Sequence, residues 1–140
     1  MRIIAVIDTN VLVSSLISQG DTPPSRIVDE IFRGLVVPVY NDYLINEYRE
    51  VLSRDKFGFK QENVDFLLKS ITEYGIRIDT VSSDLVLDDM KDVPIFEIML
   101  ATRSMNSYLI TGNVRHFPKM DYVITPKEAT VLLETDDSSE

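Results

Sequence analysis

RIIAVIDTN, residues 2–10, combines an apolar strand with three polar residues that follow it directly. The strand is apolar on both faces, which is typical of a central parallel strand covered by helices on each side. In an open α/β sheet, ligands bind just beyond the carboxyl ends of the strands, so Asp8 lies where chemistry is usual. Asp8, Thr9 and Asn10 are also good helix-capping residues, and this stretch alone leaves both interpretations open.

Composition and length indicate one globular domain, which we expect to span residues 1–133 of the 140. The chain contains no cysteine, which excludes disulfides and thiolate metal ligands. It shows neither a signal peptide nor the roughly 20-residue apolar run of a membrane span, so we expect a cytoplasmic protein without membrane contact. The net charge of −9 argues against broad nonspecific binding to nucleic acid and suits carboxylates that a divalent cation neutralises.

Strand and helix patterns alternate along the whole chain. The predicted strands are residues 2–7, 35–40, 76–81, 107–111 and 122–125. The predicted helices are residues 11–17, 24–32, 42–53, 61–74, 94–104 and 126–133, followed by an acidic tail, 134–140, that we expect to be disordered. This alternation implies right-handed crossovers and an α/β fold, in which a central parallel five-stranded sheet carries helices on both faces.

Carboxylates are the strongest candidates for chemistry, because the chain has no phosphate-binding glycine motif and no nucleophile elbow. The lone histidine, His116, cannot build a histidine metal site, and we expect it in a loop and partly exposed. Glu47 lies on the same helix face as the apolar Leu44 and Tyr48, and a glutamate buried there is costly unless it is paired or bound to a metal. The alternative places Glu47 at the edge of that face, in reach of solvent.

Further polar residues occur where later elements begin or end. Asp92 precedes the fifth helix, Glu97 follows in that helix, and Thr111 and Asn113 follow the fourth strand. Each has a structural alternative, a helix cap for Asp92 and a simple turn for the segment after the strand. We expect Asp8, Glu47, Asp92 and Asn113 to surround one cleft. A hard cation such as Mg²⁺ or Mn²⁺ would relieve the repulsion among such carboxylates and suits phosphodiester hydrolysis.

Four segments of the chain together resemble the PIN-domain family. They are VIDTNVLVSSL (6–16), NEYREVL (46–52), KDVPIFEIMLA (91–101) and YLITGNVRHFP (108–118), and the resemblance extends over nearly the whole chain. It implies a three-layer α/β/α fold and a metal-dependent ribonuclease, and many bacterial and archaeal members are toxins of toxin–antitoxin pairs. It further implies that Asp8 and Asp92 bind metal directly and that Glu47 binds metal or positions the attacking water.

Asn113 departs from this resemblance, because many members have an aspartate there within a T-G-D motif. The change removes one formal charge and puts a fully occupied two-metal site in doubt. Glu97 is the candidate that would supply the missing charge as a further metal ligand. Thr9, Asn10 and Thr111 would position the ligands or the substrate.

We therefore predict an Mg²⁺- or Mn²⁺-dependent endoribonuclease that hydrolyses RNA, and we expect it to be the toxin partner of an antitoxin protein. The alternatives are a catalytically weakened PIN-fold binding module and a small α/β signalling domain phosphorylated on Asp8. The candidates for phosphate contacts are Arg49, Lys91, Arg103 and Arg115. The first two helices, the fourth helix, Phe57 and Phe59 offer more apolar residues than a small sheet needs, which predicts a homodimer or a surface for a partner protein.

Overall fold

The computed structural model describes residues 2–18, 20–80 and 84–138 of the chain. The strands are β1 (Ile3–Ile7), β2 (Val36–Tyr40), β3 (Ile76–Arg77), β4 (Tyr108–Ile110) and β5 (Val123–Ile124). The α-helices within the described residues are α1 (Thr9–Ile17), α2 (Pro23–Phe32), α3 (Asp42–Leu52), α4 (Gln61–Tyr74), α5 (Val93–Ala101) and α6 (Pro126–Ser138). All strand pairs are parallel, in the order β3-β2-β1-β4-β5, which confirms the predicted three-layer α/β/α fold.

The first strand lies at the centre of the sheet, as its apolar sequence predicts. Its residues pair with β2 on one side and with β4 on the other, where Val6 lies opposite Leu109. Val6 and Ile7 are completely buried. Since β1 ends at Ile7, the chain delivers Asp8 to the middle of the carboxyl edge of the sheet.

Helix α3 is fixed to the same edge by a buried tyrosine. The Tyr48 hydroxyl donates a hydrogen bond to the carbonyl of Ile7, the last residue of β1. Burial, followed by the charges of Asp8 and Glu47, raises the pKa of Tyr48 well above its ordinary value, so the phenol stays a neutral donor. Glu47 precedes Tyr48 on the helix, and this contact therefore determines where Glu47 lies relative to Asp8.

Three predicted boundaries are wrong. Strand β3 ends at Arg77, since β2 offers it only Val39 and Tyr40 as partners; the last predicted residue, 81, lies outside the described residues. Helix α5 ends at Ala101 instead of 104, where a 3₁₀ turn follows. Helix α6 continues to Ser138, into the predicted disordered tail, and the Arg26 guanidinium of α2 binds the Glu134 carboxylate at 2.6 Å.

Several apolar side chains remain at the surface of the described residues. Phe32 of α2 and Phe66 of α4 contact each other with ring centroids 5.6 Å apart, and both are exposed. Ile17 at the end of α1 is also exposed. These positions agree with the helices that the sequence assigns to a contact surface, and the homodimer itself stays a prediction. None of the helices in the described segments has the length and apolar character that a bilayer crossing requires.

Candidate active site

Three acidic residues from separate elements line one cleft at the carboxyl edge of the sheet. Asp8 follows β1, Glu47 lies on α3, and Asp92 immediately precedes α5. The cleft has a volume of about 320 Å³, and its lining includes all three residues. The structure therefore brings together the carboxylates that the sequence singles out, although they are far apart along the chain.

The Asp8 side chain does not serve as a helix cap. Asp8 occupies the position before α1, but its carboxylate makes no capping hydrogen bond. Its Oδ2 instead accepts hydrogen bonds from Thr111 Oγ1 at 2.8 Å and from Asn10 Nδ2 at 3.3 Å. Burial raises the pKa of Asp8 although the Thr111 hydrogen bond lowers it, and the charge of Asp92 raises it further. Asp8 is thus a buried carboxylate held by side chains from two strand ends.

Glu47 lies at the border of the apolar face of α3 and points its carboxylate into the cleft. Leu44 and Tyr48 are buried, whereas Glu47 is half-buried, so the edge position considered from the sequence is correct. Glu47 Oε2 accepts a hydrogen bond from Thr9 Oγ1 at 2.9 Å. Burial raises the pKa of Glu47, and the charge of Asp8 adds to this effect. Thr9 therefore orients a carboxylate whose ionised form the cleft disfavours.

Asp92 has a buried oxygen without a hydrogen-bond partner. Its Oδ2 lies 3.4 Å from His116 Nδ1, a distance too long for a well-formed charge-assisted hydrogen bond. Burial and the charge of Asp89 raise the pKa of Asp92, and His116 lowers it. The sequence predicted His116 only as a loop residue; a 3₁₀ turn at Val114–His116 brings it to Asp92, and no local pattern indicates that contact.

Thr111 and Asn10 connect the strand ends around Asp8. Thr111 is completely buried, and its hydroxyl both donates to Asp8 and accepts from the backbone N–H of Asn113 at 3.0 Å. Asn10 Oδ1 accepts from the backbone N–H of Gly112 at 3.1 Å. The segment after β4 is therefore tied to the segment after β1, which agrees with a positioning role for both side chains.

Asn113 and Glu97 are not among the residues that line the carboxylate cleft. Asn113 is exposed and borders a neighbouring pocket of about 200 Å³, whose lining includes Asn10 and Ser14. Glu97 lies half-buried in the second turn of α5. A direct metal contact by Glu97 stays a prediction.

Of the four basic candidates, Lys91 is the one that lines the cleft. Arg49 pairs with Asp65 at 3.0 Å. Arg103 donates to the carbonyl of Ser107, just before β4, and therefore belongs to the opposite edge of the sheet. Arg115 lines a different pocket, together with Val114 and Phe117.

The side-chain oxygens of the cleft are of the chemical type that binds a hard divalent cation. Carboxylate oxygens are the ligands that Mg²⁺ and Mn²⁺ prefer, and within the described part of the chain the buried Asp92 Oδ2 has only the long contact with His116. Among the described residues, however, no three Asp, Glu, His or Cys side chains are already clustered closely enough to hold a metal ion. A cation would therefore bind here only with some movement of the carboxylates toward each other.

Comparison with known families agrees with this arrangement. A family model described as PIN domain matches residues 4–115, a range that contains Asp8, Glu47, Asp92 and Asn113. Searches of curated proteins and of solved structures found no match. PIN domains are generally nucleases that act on RNA or DNA, and they typically depend on divalent metals. With this match over most of its length, the chain belongs to the PIN-domain family.

Proposed function

We propose that the protein is an Mg²⁺- or Mn²⁺-dependent endoribonuclease with Asp8, Glu47 and Asp92 as its catalytic carboxylates. One observation carries the proposal. Burial raises the pKa of all three carboxyl groups, and their charges add to this effect. The charge of Asp92 raises the pKa of Asp8, the charge of Asp8 raises the pKa of Glu47, and the charge of Glu47 raises the pKa of Asp92. This mutual repulsion destabilises the ionised cleft, and a bound cation would relieve it.

Asp8 and Asp92 would hold the metal, with Glu97 as a further candidate ligand. When bound, the ion would supply Lewis-acid stabilisation of the phosphate and lower the pKa of a coordinated water. Glu47, oriented by Thr9, accepts a hydrogen bond from the attacking water and directs it at the phosphorus. Lys91 at the cleft wall contacts a phosphate oxygen.

Thr111 and Asn10 keep the Asp8 carboxylate in place through their hydrogen bonds. Both donate to the same oxygen, Oδ2, so these two side-chain hydrogen bonds fix the orientation of the carboxylate. Residues that follow two neighbouring strands, β1 and β4, thus orient the proposed ligand through hydrogen bonds, as is usual for metal sites.

We further propose a toxin role, with an antitoxin protein as partner and a homodimer as the assembly. The exposed Phe32 and Phe66 pair supports a protein contact on the α2 and α4 side. Expression in a bacterial host should then arrest growth, and co-expression of a small neighbouring gene should relieve the arrest. Growth arrest that persists in a Glu47→Gln variant would contradict a nuclease toxin.

The enzymatic proposal is tested by cleavage of a panel of single-stranded RNAs with Mn²⁺ and with EDTA. We expect Glu47→Gln to reduce cleavage by roughly 10²-fold or more, because a positioned base contributes about 10²–10⁴-fold. Glu50→Gln is the matched control, since Glu50 lies on the same helix but is exposed and paired with Arg54; its activity should stay within a few fold. Equal activity of Glu47→Gln and wild type would overturn the assignment. RNA binding without cleavage at any metal concentration would favour the weakened binding module that Asn113 suggests.

A further inference from the structure

The loop between α3 and α4 places an aromatic pair beside the carboxylates. The half-exposed Phe57 lines the same cleft as Glu47, and the ring of Phe59 stacks on it with centroids 5.3 Å apart and planes 6° from parallel. Gly58 between them has φ +64, in the left-handed region that favours glycine, so the chain turns back and brings the rings together. Phe59 in turn packs against the hydrophobic core. Phe57 is therefore a supported ring at the cleft, and the assembly contact that the sequence predicts for it stays a prediction.

The charges of the cleft make phosphate binding weak. Asp8, Glu47, Asp89 and Asp92 line it, against the single lysine Lys91, and the whole chain carries a net charge of −9. Proteins that bind nucleic acid mainly through phosphates need clusters of basic residues. A substrate held here therefore has to gain much of its affinity from its bases.

We propose that Phe57 is a stacking platform for one base of a single-stranded RNA whose neighbouring phosphate lies at the carboxylates. This inference rests on the proposed nuclease function and adds a residue that positions the substrate. Every base has a flat face that stacks on an aromatic ring, so the contact tolerates any sequence. The Lys56 ammonium lies over the Phe57 ring, 5.0 Å from its centre. An incoming base replaces it on the ring, and the exposed lysine side chain then contacts a phosphate of the same strand.

The same geometry excludes paired RNA from the platform. In a duplex the faces of the bases are covered by their neighbours, whereas single strands and loops can splay a base onto an aromatic side chain. The chain should therefore prefer unpaired RNA for binding, and cleavage should occur next to a base that has left its stack.

The absence of tryptophan from the chain allows a direct test. Phe57→Trp introduces a single indole at the platform, and its fluorescence reports stacking. Three variants, Phe57→Trp, Phe57→Ala and Phe57→Leu, are titrated with a short single-stranded RNA of mixed sequence in the presence of Mn²⁺. Each also carries Glu47→Gln, so that the RNA is not consumed during the titration. We expect quenched indole emission and undiminished affinity for Phe57→Trp, and binding weakened about tenfold for Phe57→Ala and Phe57→Leu.

Phe66→Ala is the matched control, because Phe66 is an exposed aromatic residue of α4 that does not line the cleft. It should bind RNA as the parent does. The melting temperature of Phe57→Leu should be close to that of the parent. Weaker RNA binding by this variant is then due to the missing ring and not to unfolding. Unchanged affinity of Phe57→Ala and Phe57→Leu, unquenched emission at saturating RNA, or equal binding of a duplex would each overturn the platform.

Cleavage by the otherwise wild-type protein separates this inference from the nuclease proposal. Metal-dependent cleavage with binding that is indifferent to Phe57 overturns the platform alone. Phe57-dependent binding without cleavage at any metal concentration supports the platform and overturns the nuclease. A protein that binds no RNA overturns both.

Discussion

Replacing Thr111 by valine removes the hydroxyl that joins the two strand ends of the site. Thr111 Oγ1 donates to the buried Asp8 carboxylate at 2.8 Å and accepts from the backbone N–H of Asn113. A hydrogen bond to a charged group contributes about 1.5–3 kcal/mol and a neutral one about 1 kcal/mol. Valine keeps the shape but neither bond, so we expect the free energy of unfolding at neutral pH to fall by about 2–4 kcal/mol. The melting temperature should then fall by roughly 5–15 °C.

The pH dependence of this loss identifies its cause. Burial raises the pKa of folded Asp8 above the ordinary value of 3.8, so the ionised carboxylate destabilises the fold at neutral pH, and that cost disappears as the pH falls through the folded pKa. Thr111 lowers this pKa, and its removal therefore increases the cost at neutral pH. Below pH 3.8 the carboxyl is protonated in both states, and the loss should shrink to about 1–2 kcal/mol.

Urea unfolding of wild type, Thr111→Val and Thr111→Ser at several pH values measures this difference. Serine keeps the hydroxyl and loses one buried methyl group, so its cost should be about 1 kcal/mol and independent of pH. The reasoning is refuted if the valine variant loses the same free energy at every pH, or if serine destabilises as much as valine.

Three further changes have defined outcomes. Asn113→Asp adds a charge beside the strand end and should tighten Mn²⁺ binding and raise RNA cleavage at low metal; no change in either titration would exclude an ion on that side. Asp8→Asn should raise the melting temperature at neutral pH without metal, because it removes a buried charge. This gain should vanish below pH 3.8, where the carboxyl is protonated in both states, and a lower melting temperature at neutral pH would contradict the raised pKa of Asp8. Gly75→Ala should lower the free energy of unfolding in urea by about 1–3 kcal/mol or more. The added Cβ would lie 2.4 Å from the Pro38 carbonyl oxygen and 2.5 Å from the Ile71 carbonyl oxygen. An unchanged urea midpoint would show that the backbone moves at no cost to accept the methyl group.

The parts of the fold that follow from local physics are predictable from the sequence. The uninterrupted apolar run before Asp8 indicates a buried central strand, and the spacing of Leu44 and Tyr48 places Glu47 at the apolar side of its helix. The structure has the buried central strand, and it places Glu47 half-buried at the border of that face. The roles of the carboxylates came instead from the family resemblance, because periodicity alone leaves caps and ligands indistinguishable.

Features that depend on contacts distant in the chain were not predictable. The approach of His116 to Asp92 requires the 3₁₀ turn after β4 to lie against the start of α5. Phe57 at the cleft depends on the path of an irregular loop, for which residue spacing carries no information. The continuation of α6 past Leu133 accompanies an ion pair between Glu134 and a different helix.

The most direct test of the account is a calorimetric Mn²⁺ titration of the wild type, Asp8→Asn and Asp92→Asn, with RNA cleavage measured on the same samples. Asp55→Asn is the control, an exposed acid that does not line the cleft. We predict that the wild type and the control bind Mn²⁺ and cleave RNA alike. The two cleft variants should bind at least about tenfold more weakly and lose cleavage, since even indirect supporting residues of metal sites contribute about 10–100-fold. Unchanged Mn²⁺ binding in both cleft variants, or RNA cleavage that persists in them, would contradict a metal-dependent nuclease site at these carboxylates.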